Sequence, residues 1–188
     1  MNNESSTRKP SGVTMLRILA LFFVILITIA VYRYSSEIKE FSTYGYPGIF
    51  IVTLLANSTV FFPAPGVALV FSLGSVLNPM LVALVASLGG SLGEISGYLA
   101  GFSSQVIIDR MDIYKKVEPF IHKYGGFAIL VFAAIPNPFF DLAGIAAGGL
   151  KMPVRRFLLF CWIGQLIKMT CFSYAGYYSF NWIIGNGN

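Results

Sequence analysis

The chain has 188 residues, 56% of them hydrophobic and only 11% charged, where soluble domains carry roughly 25% charged residues. Together with a mean hydropathy of +0.72, this excludes an ordinary soluble domain and fits a one-domain integral membrane protein. The formal net charge of +5 does not mark a nucleic-acid binder, because the basic residues fall mostly between the apolar segments, as membrane topology requires.

Residues 1–14 are polar and read as a disordered cytoplasmic tail. Residues 15–32, MLRILALFFVILITIAVY, are just long enough to cross a bilayer. No small-x-small cleavage site follows them, so a retained anchor helix is expected over a cleaved signal. Residues 33–43 are polar and interfacial. Residues 46–77 are apolar but interrupted by FFPAPG at 61–66, and residues 80–102 are long enough to span. Residues 103–124 carry seven charged residues and His122. Val106, Ile107, Met111, Ile113, Val117 and Ile121 give this segment the pattern of a helix lying along the membrane surface. Residues 125–150 are apolar and broken by IPNP, and residues 154–180 are long enough to span again.

Proline removes a backbone donor and clashes with the preceding turn, and P-x-P extends the residue between the prolines. Backbone groups freed in this way are tolerated at membrane depth only where protein or a water-filled cavity shields them. Pro63 with Pro65, and Pro136 with Pro138, are therefore expected at the tips of two re-entrant hairpins. With the N-terminus in the cytoplasm, Arg8, Lys9, Arg17, Arg110, Lys115, Lys116, Lys123, Lys151, Arg155 and Arg156 fall inside, and only Arg33 and Lys39 outside. This obeys the positive-inside rule; six full spans would give the same parity.

PAPGVALVFSLGSVLNP (63–79) and PNPFFDLAGIAAGGLKMP (136–153) share their punctuation. Each opens on P-x-P, and each has a glycine, Gly74 or Gly148, five residues before Pro79 or Pro153. Eleven residues past that proline stand Gly90 and Gly164, and four further on Glu94 and Lys168. Entered from opposite faces, the two units form an inverted repeat, the pattern of many transport folds. The expected fold is an all-α polytopic membrane protein. It has an N-terminal transmembrane helix and two re-entrant helical hairpins, each followed by a transmembrane helix. The membrane domain covers 46–180, with repeats at 46–102 and 125–180.

These residues resemble the DedA/VTT-domain superfamily, also called the SNARE-associated Golgi protein family. The resemblance rests on P-x-P-G, on GGSLGEISGYLAG (89–101) and on FAAIPNPFFDLAGIAAGGLKMPVRRFLLFCWIG (132–164). Two departures stand out. Many members have an acidic residue where this chain has Val67, and an arginine where it has Ala134. The resemblance implies movement of polar-headed lipids, phospholipid or undecaprenyl phosphate, between leaflets of the cell membrane, without chemical catalysis. The alternatives are an ion-coupled transporter of a small solute and a non-transporting scaffold.

Glu94, Asp141 and Lys168 are the ionisable residues at membrane depth, and each costs about 2.5–3.5 kcal/mol at a helix centre. They read as a hydrated headgroup path or as mutually neutralising glue; Lys168 also has the option of snorkelling, and Asp141 of capping a restarted helix. Asn137, between two prolines, either covers exposed carbonyls or contacts a headgroup. Gly89, Gly93, Gly97 and Gly101 form a small-residue face for close helix approach. Arg155 and Arg156 face headgroups or simply obey the charge rule. His122 has no companion ligands, so no metal or cofactor is expected. Asn57-Ser58-Thr59 fits a glycosylation pattern but lies in an apolar segment. Cys161 and Cys171 stand about 15 Å apart on one helix, too far for a disulfide. Membrane lipids are the expected partners, and a homo-oligomer is compatible with the sequence.

Overall fold

The computed structural model describes residues 42–58, 66–103, 114–136 and 140–185, with Ile29 and Arg33. The expected tail, the anchor at 15–32 (apart from Ile29), Pro63, Pro65, Asn137 and Pro138 lie outside the described residues. Within them the chain is all-helical. The helices are α1 (Ser42–Ser58), α2 (Gly66–Gly74), α3 (Pro79–Gly93), α4 (Ile95–Ser103), α5 (Tyr114–Tyr124), α6 (Gly126–Ala134), α7 (Phe140–Gly149) and α8 (Val154–Gly185).

Local sequence sets the boundaries. Asn78 caps α3: its Oδ1 accepts from the Met80 and Leu81 amides at 3.0 and 3.2 Å, and Pro79 fills the first position, where no amide is needed. α7 ends in a Schellman motif. The Met152 amide donates to Ala147 O at 3.0 Å and the Lys151 amide to Gly148 O at 2.9 Å. This turn requires a left-handed residue, and Lys151 supplies it at φ 53°. α3 and α4 run on as one rod from Pro79 to Ser103. At the junction the Glu94 amide still reaches Gly90 O (3.2 Å) and the Tyr98 amide reaches Glu94 O (3.0 Å). The Ser96 hydroxyl lies 3.0 Å from Gly93 O and 2.8 Å from Ser58 O, which ties the end of α1 to this point.

Two helices, Pro79–Ser103 and Val154–Trp182, are long and apolar enough to cross a membrane. By contrast α2 and α7, with nine and ten residues, rise only about 14–15 Å, half of a hydrocarbon core of about 30 Å.

The long helices join two apolar cores. One holds Ile49, Val70, Leu73, Leu77, Val82, Ala83, Ala86 and Met169. The other holds Tyr98, Val117, Ile121, Ile129, Phe140, three alanines of α7, Phe157 and Cys161. The α3–α4 rod leaves the first core at Ala86 and enters the second at Tyr98. α8 leaves the second at Cys161 and enters the first at Met169. The two long helices therefore run antiparallel between the cores.

Their packing is reciprocal. α2 lies on α8, where a Cβ on Gly176 would collide with Phe71 O; α7 lies on α4, where a Cβ on Gly101 would collide with Ile145 O. The Ser173 hydroxyl donates to Pro79 O at 2.8 Å, and the Tyr98 hydroxyl to Met152 O at 2.6 Å. Each long helix thus grips the corner that precedes the other.

One expectation changes. Val117 and Ile121 of α5, expected to face a membrane surface, are each 2% exposed and sit in the second core, while Phe120 and Tyr124 of the same helix are exposed. Ala143, Ala146 and Ala147 of α7 belong to the same buried cluster, and α5 packs on α7. The pattern of a surface helix and that of a helix packed on protein are the same, and here protein covers Val117 and Ile121.

Candidate functional site

Between the two cores, near mid-length of both long helices, lies a layer of buried polar side chains. Glu94, at the α3–α4 junction, is 2% exposed, and Lys168, on α8, is 8% exposed. Both face one stripe of α7. The Lys168 Nζ stands 4.9 Å from the centre of the Phe140 ring, a cation–π distance. Four residues on, Gly144 leaves space in which a Cβ would be 3.5 Å from Glu94 Oε2. Phe140 and Gly144 are one turn apart and so share a face. Both charges also lie within Coulombic range of Cys161, buried one turn before Gln165. The cysteines are free, with Cys161 buried and Cys171 exposed on α8.

Two amides extend the layer. Gln165 of α8 is fully buried, and its Nε2 donates to Asn57 Oδ1 of α1 at 3.4 Å. Gly90, one turn before Glu94, faces both: a Cβ there would be 3.3 Å from Gln165 Nε2 and 3.4 Å from Asn57 Nδ2. Thr53, Ser87 and Ser91 are also buried, but their hydroxyls turn back onto carbonyls of their own helices. That satisfies them without a partner helix.

The structure brings Glu94 and Lys168 to one region. Asp141 falls in the first turn of α7, beside Phe140; its side chain lies outside the described features. Gly89 and Gly93 meet α1, where added Cβ atoms would strike Phe50 O and Leu54 O, while Gly101 meets α7; Gly97 is buried. Arg155 and Arg156 are exposed at the start of α8, as are Lys123, Lys151 and Pro136. Among the described residues no group of three His, Cys, Asp or Glu could hold a metal.

The paired spacing, the glycine contacts and the buried charges all sit inside one sequence signature. The model of the VTT domain matches residues 63–178, more than half of the chain. The chain belongs to the VTT-domain family. Curated relatives agree. Protein DedA of Escherichia coli (strain K12) is 26% identical over 159 residues, 75% of this chain and 71% of that protein. Vacuole membrane protein KMS2 of Arabidopsis thaliana is 34% identical over 108 residues, 55% of this chain and 26% of that one. Vacuole membrane protein 1 homolog of Dictyostelium discoideum is 45% identical over 61 residues, 32% of this chain and 15% of that one. The chain therefore spans only about a quarter or less of the length of these two vacuole membrane proteins. No solved structure matches it.

In this VTT-domain membrane protein, sequence reasoning missed Gln165 and Asn57. A signal was present in each case. Gln165 is an amide inside the apolar run 157–169, where a polar group at membrane depth needs a stated partner. Asn57 stands six residues before P-x-P-G, and its glycosylation-like pattern drew attention away from its depth.

Proposed function

We propose that the protein moves polar-headed lipids between the leaflets of a cell membrane and catalyses no covalent chemistry. One observation carries this reading: the buried Glu94, Lys168 and Gln165, with the half-buried Asn57, form a polar layer between two apolar cores, near the middle of two antiparallel spanning helices. A lipid headgroup has to pass that depth, while its acyl tails remain in hydrocarbon. Carboxylate, ammonium and amides would replace part of the headgroup's hydration shell there.

The reading includes two re-entrant hairpins related as an inverted repeat. The short α2 and α7 support it, since neither is long enough to span, and so does the reciprocal packing of each against the long helix of the other half. Multi-pass insertion with a cytoplasmic N-terminus belongs to the same reading. Lys123, Lys151, Arg155 and Arg156 are exposed around the start of α8, as expected for a cytoplasmic end.

The test is leaflet exchange in liposomes containing the purified protein, with phospholipid and undecaprenyl-phosphate probes. Wild type should accelerate exchange of at least one probe over empty liposomes, and the Glu94→Gln, Lys168→Gln double variant should lose most of that acceleration while remaining folded. Exchange equal to that of empty liposomes for every probe would overturn the proposal. Proton-driven flux of a water-soluble solute, with no lipid exchange, would replace it with ion-coupled transport.

A further inference from the structure

The amide pair of buried Gln165 and half-buried Asn57 has a fixed polarity. Asn57 Nδ2 donates to Thr53 O at 2.8 Å, so its other side, the acceptor Oδ1, must face α8. Gln165 meets that oxygen with its donor, Nε2. An amide has one donor end and one acceptor end, so the Gln165 carbonyl oxygen is turned away from Asn57. That oxygen is buried and accepts no hydrogen bond among the described residues, on a side chain with no exposure. A buried acceptor left open is rare in folded proteins and calls for a donor.

The surroundings say what kind of donor. Gly90 contributes no side chain opposite the amide pair, and one turn along the same helix stands the Glu94 carboxylate, a second acceptor. Lys168 lies three residues after Gln165 on α8, with its ammonium toward Phe140. The layer therefore presents acceptors, the Gln165 oxygen and the Glu94 carboxylate, and beside them the Lys168 cation. The seam also has a way to open. α1 rests on α3 and hardly touches α8, and the 3.4 Å Asn57–Gln165 bond is at the long end for an amide pair.

We propose that Gln165 Oε1 accepts a hydrogen bond from the headgroup of a passing lipid, and that the preferred headgroup carries a primary ammonium. The phosphate of that headgroup lies toward Lys168. Asn57 is a positioning residue: it sets the direction of the Gln165 amide through Thr53 O. This rests on the lipid-movement reading and deepens it. A primary ammonium and a trimethylammonium carry the same charge, but only the first donates N–H bonds, so preference between them reads the acceptor and not the charge.

The experiment uses the full chain in liposomes. Phosphatidylethanolamine, its N-methyl and N,N-dimethyl forms and phosphatidylcholine are compared with the same labelled acyl chain. Wild type should exchange the ethanolamine lipid at least about tenfold faster than the choline lipid, the lower end of what one hydrogen bond to a charged group contributes. The sharpest drop should come with the last N–H. Gln165→Leu should bring the ratio close to one, and Gln165→Glu, which keeps an acceptor, should retain a preference. If Gln165→Leu does not fold, Asn57→Leu, which frees the amide to turn, should also lower the ratio. A wild-type ratio of one, as expected if water alone fills the acceptor, or a ratio unchanged in Gln165→Leu, would overturn the proposal.

A second readout separates this proposal from the one it rests on. In detergent, short-chain phosphatidylethanolamine should raise the melting temperature of wild type more than short-chain phosphatidylcholine does, and Gln165→Leu should abolish the difference. That result without lipid exchange would retain the acceptor site and remove lipid movement. Exchange that ignores the headgroup, with no melting difference, would do the reverse.

Discussion

Replacing Gly101 with alanine adds one methyl group where the fold has no space for it. The new Cβ would collide with Ile145 O of α7 and stand 2.7 Å from the Ile145 carbonyl carbon and 2.9 Å from its Cα, while ordinary contact begins at 3.4 Å. The obstacle is backbone, so no rotamer relieves it; α4 and α7 must separate by about one ångström. A radial gap of that order forfeits a quarter or more of each dispersion contact it opens, and overpacking costs about 1–3 kcal/mol. The upper part of that range applies because the whole α4–α7 interface moves. Alanine recovers up to about 1 kcal/mol of helix propensity, which leaves a net loss of about 1–2 kcal/mol. For a chain of this size that is about 2–8 °C in Tm, read by thermal unfolding in detergent. Gly144→Ala is the control. Its Cβ would sit 3.5 Å from Glu94 Oε2 and 3.6 Å from Phe157 Cζ, in ordinary contact, so its Tm should match or exceed wild type. Its methyl group would, however, occupy the space beside the carboxylate, and lipid exchange should fall. A Gly101→Ala protein melting at or above wild type would refute the close approach of α4 and α7.

Further outcomes follow from the same geometry. In a cycle of Glu94→Gln, Lys168→Gln and the double variant, each single change should cost up to about 3–5 kcal/mol and the double less than their sum; additivity within about 0.5 kcal/mol would reject coupling between them. Lys151→Gly should stabilise the protein by about 1 kcal/mol, because a left-handed residue with a Cβ costs about 1–2 kcal/mol; an unchanged or lower melting temperature would count against the Schellman turn. In a Cys171→Ser background, which leaves only the buried Cys161, single cysteines at positions 46 and 78 should react with an impermeant thiol reagent from the same side of the membrane. Labelling from opposite sides would mean that the first apolar segment crosses fully and does not return.

How much of this was legible in the sequence depends on what each residue can signal alone. The equal spacing from Pro79 to Glu94 and from Pro153 to Lys168 was visible as punctuation, and ionisable residues in apolar runs declare themselves through their cost. The glycine face was visible too, but not its division, with Gly89 and Gly93 turned to α1 and Gly101 to α7. Val117 and Ile121 announced an apolar stripe without saying whether lipid or protein would cover it. Lys151 gave no sign of a left-handed turn, since lysine has no preference for that region; the requirement comes from α7 ending at Gly149 and the chain reversing before Pro153. Gln165 and Asn57 carry no charge, so on sequence alone they ranked below Glu94, and only their mutual orientation makes them informative.

The polar residues described above fall into three groups, and the division bears on function. Thr53, Ser87 and Ser91 return their hydroxyls to their own helices, so they add nothing between helices and burial costs them little. Tyr98 and Ser173 cross between helices, but only to carbonyls at the two corners, where they hold the halves together. The remaining four, Asn57, Glu94, Gln165 and Lys168, lie in the layer between the cores and present side-chain groups there. Stability alone does not call for such a layer, since well-packed apolar residues in place of a buried ion pair are often neutral or stabilising by about 1–4 kcal/mol. A headgroup path does call for it, because the headgroup needs donors and acceptors at the depth where water is absent. The fold meets the cost of that layer by flanking it with an apolar core on each side and by setting Gly90 and Gly144 next to it, so that no side chain fills the space beside the amides or the carboxylate.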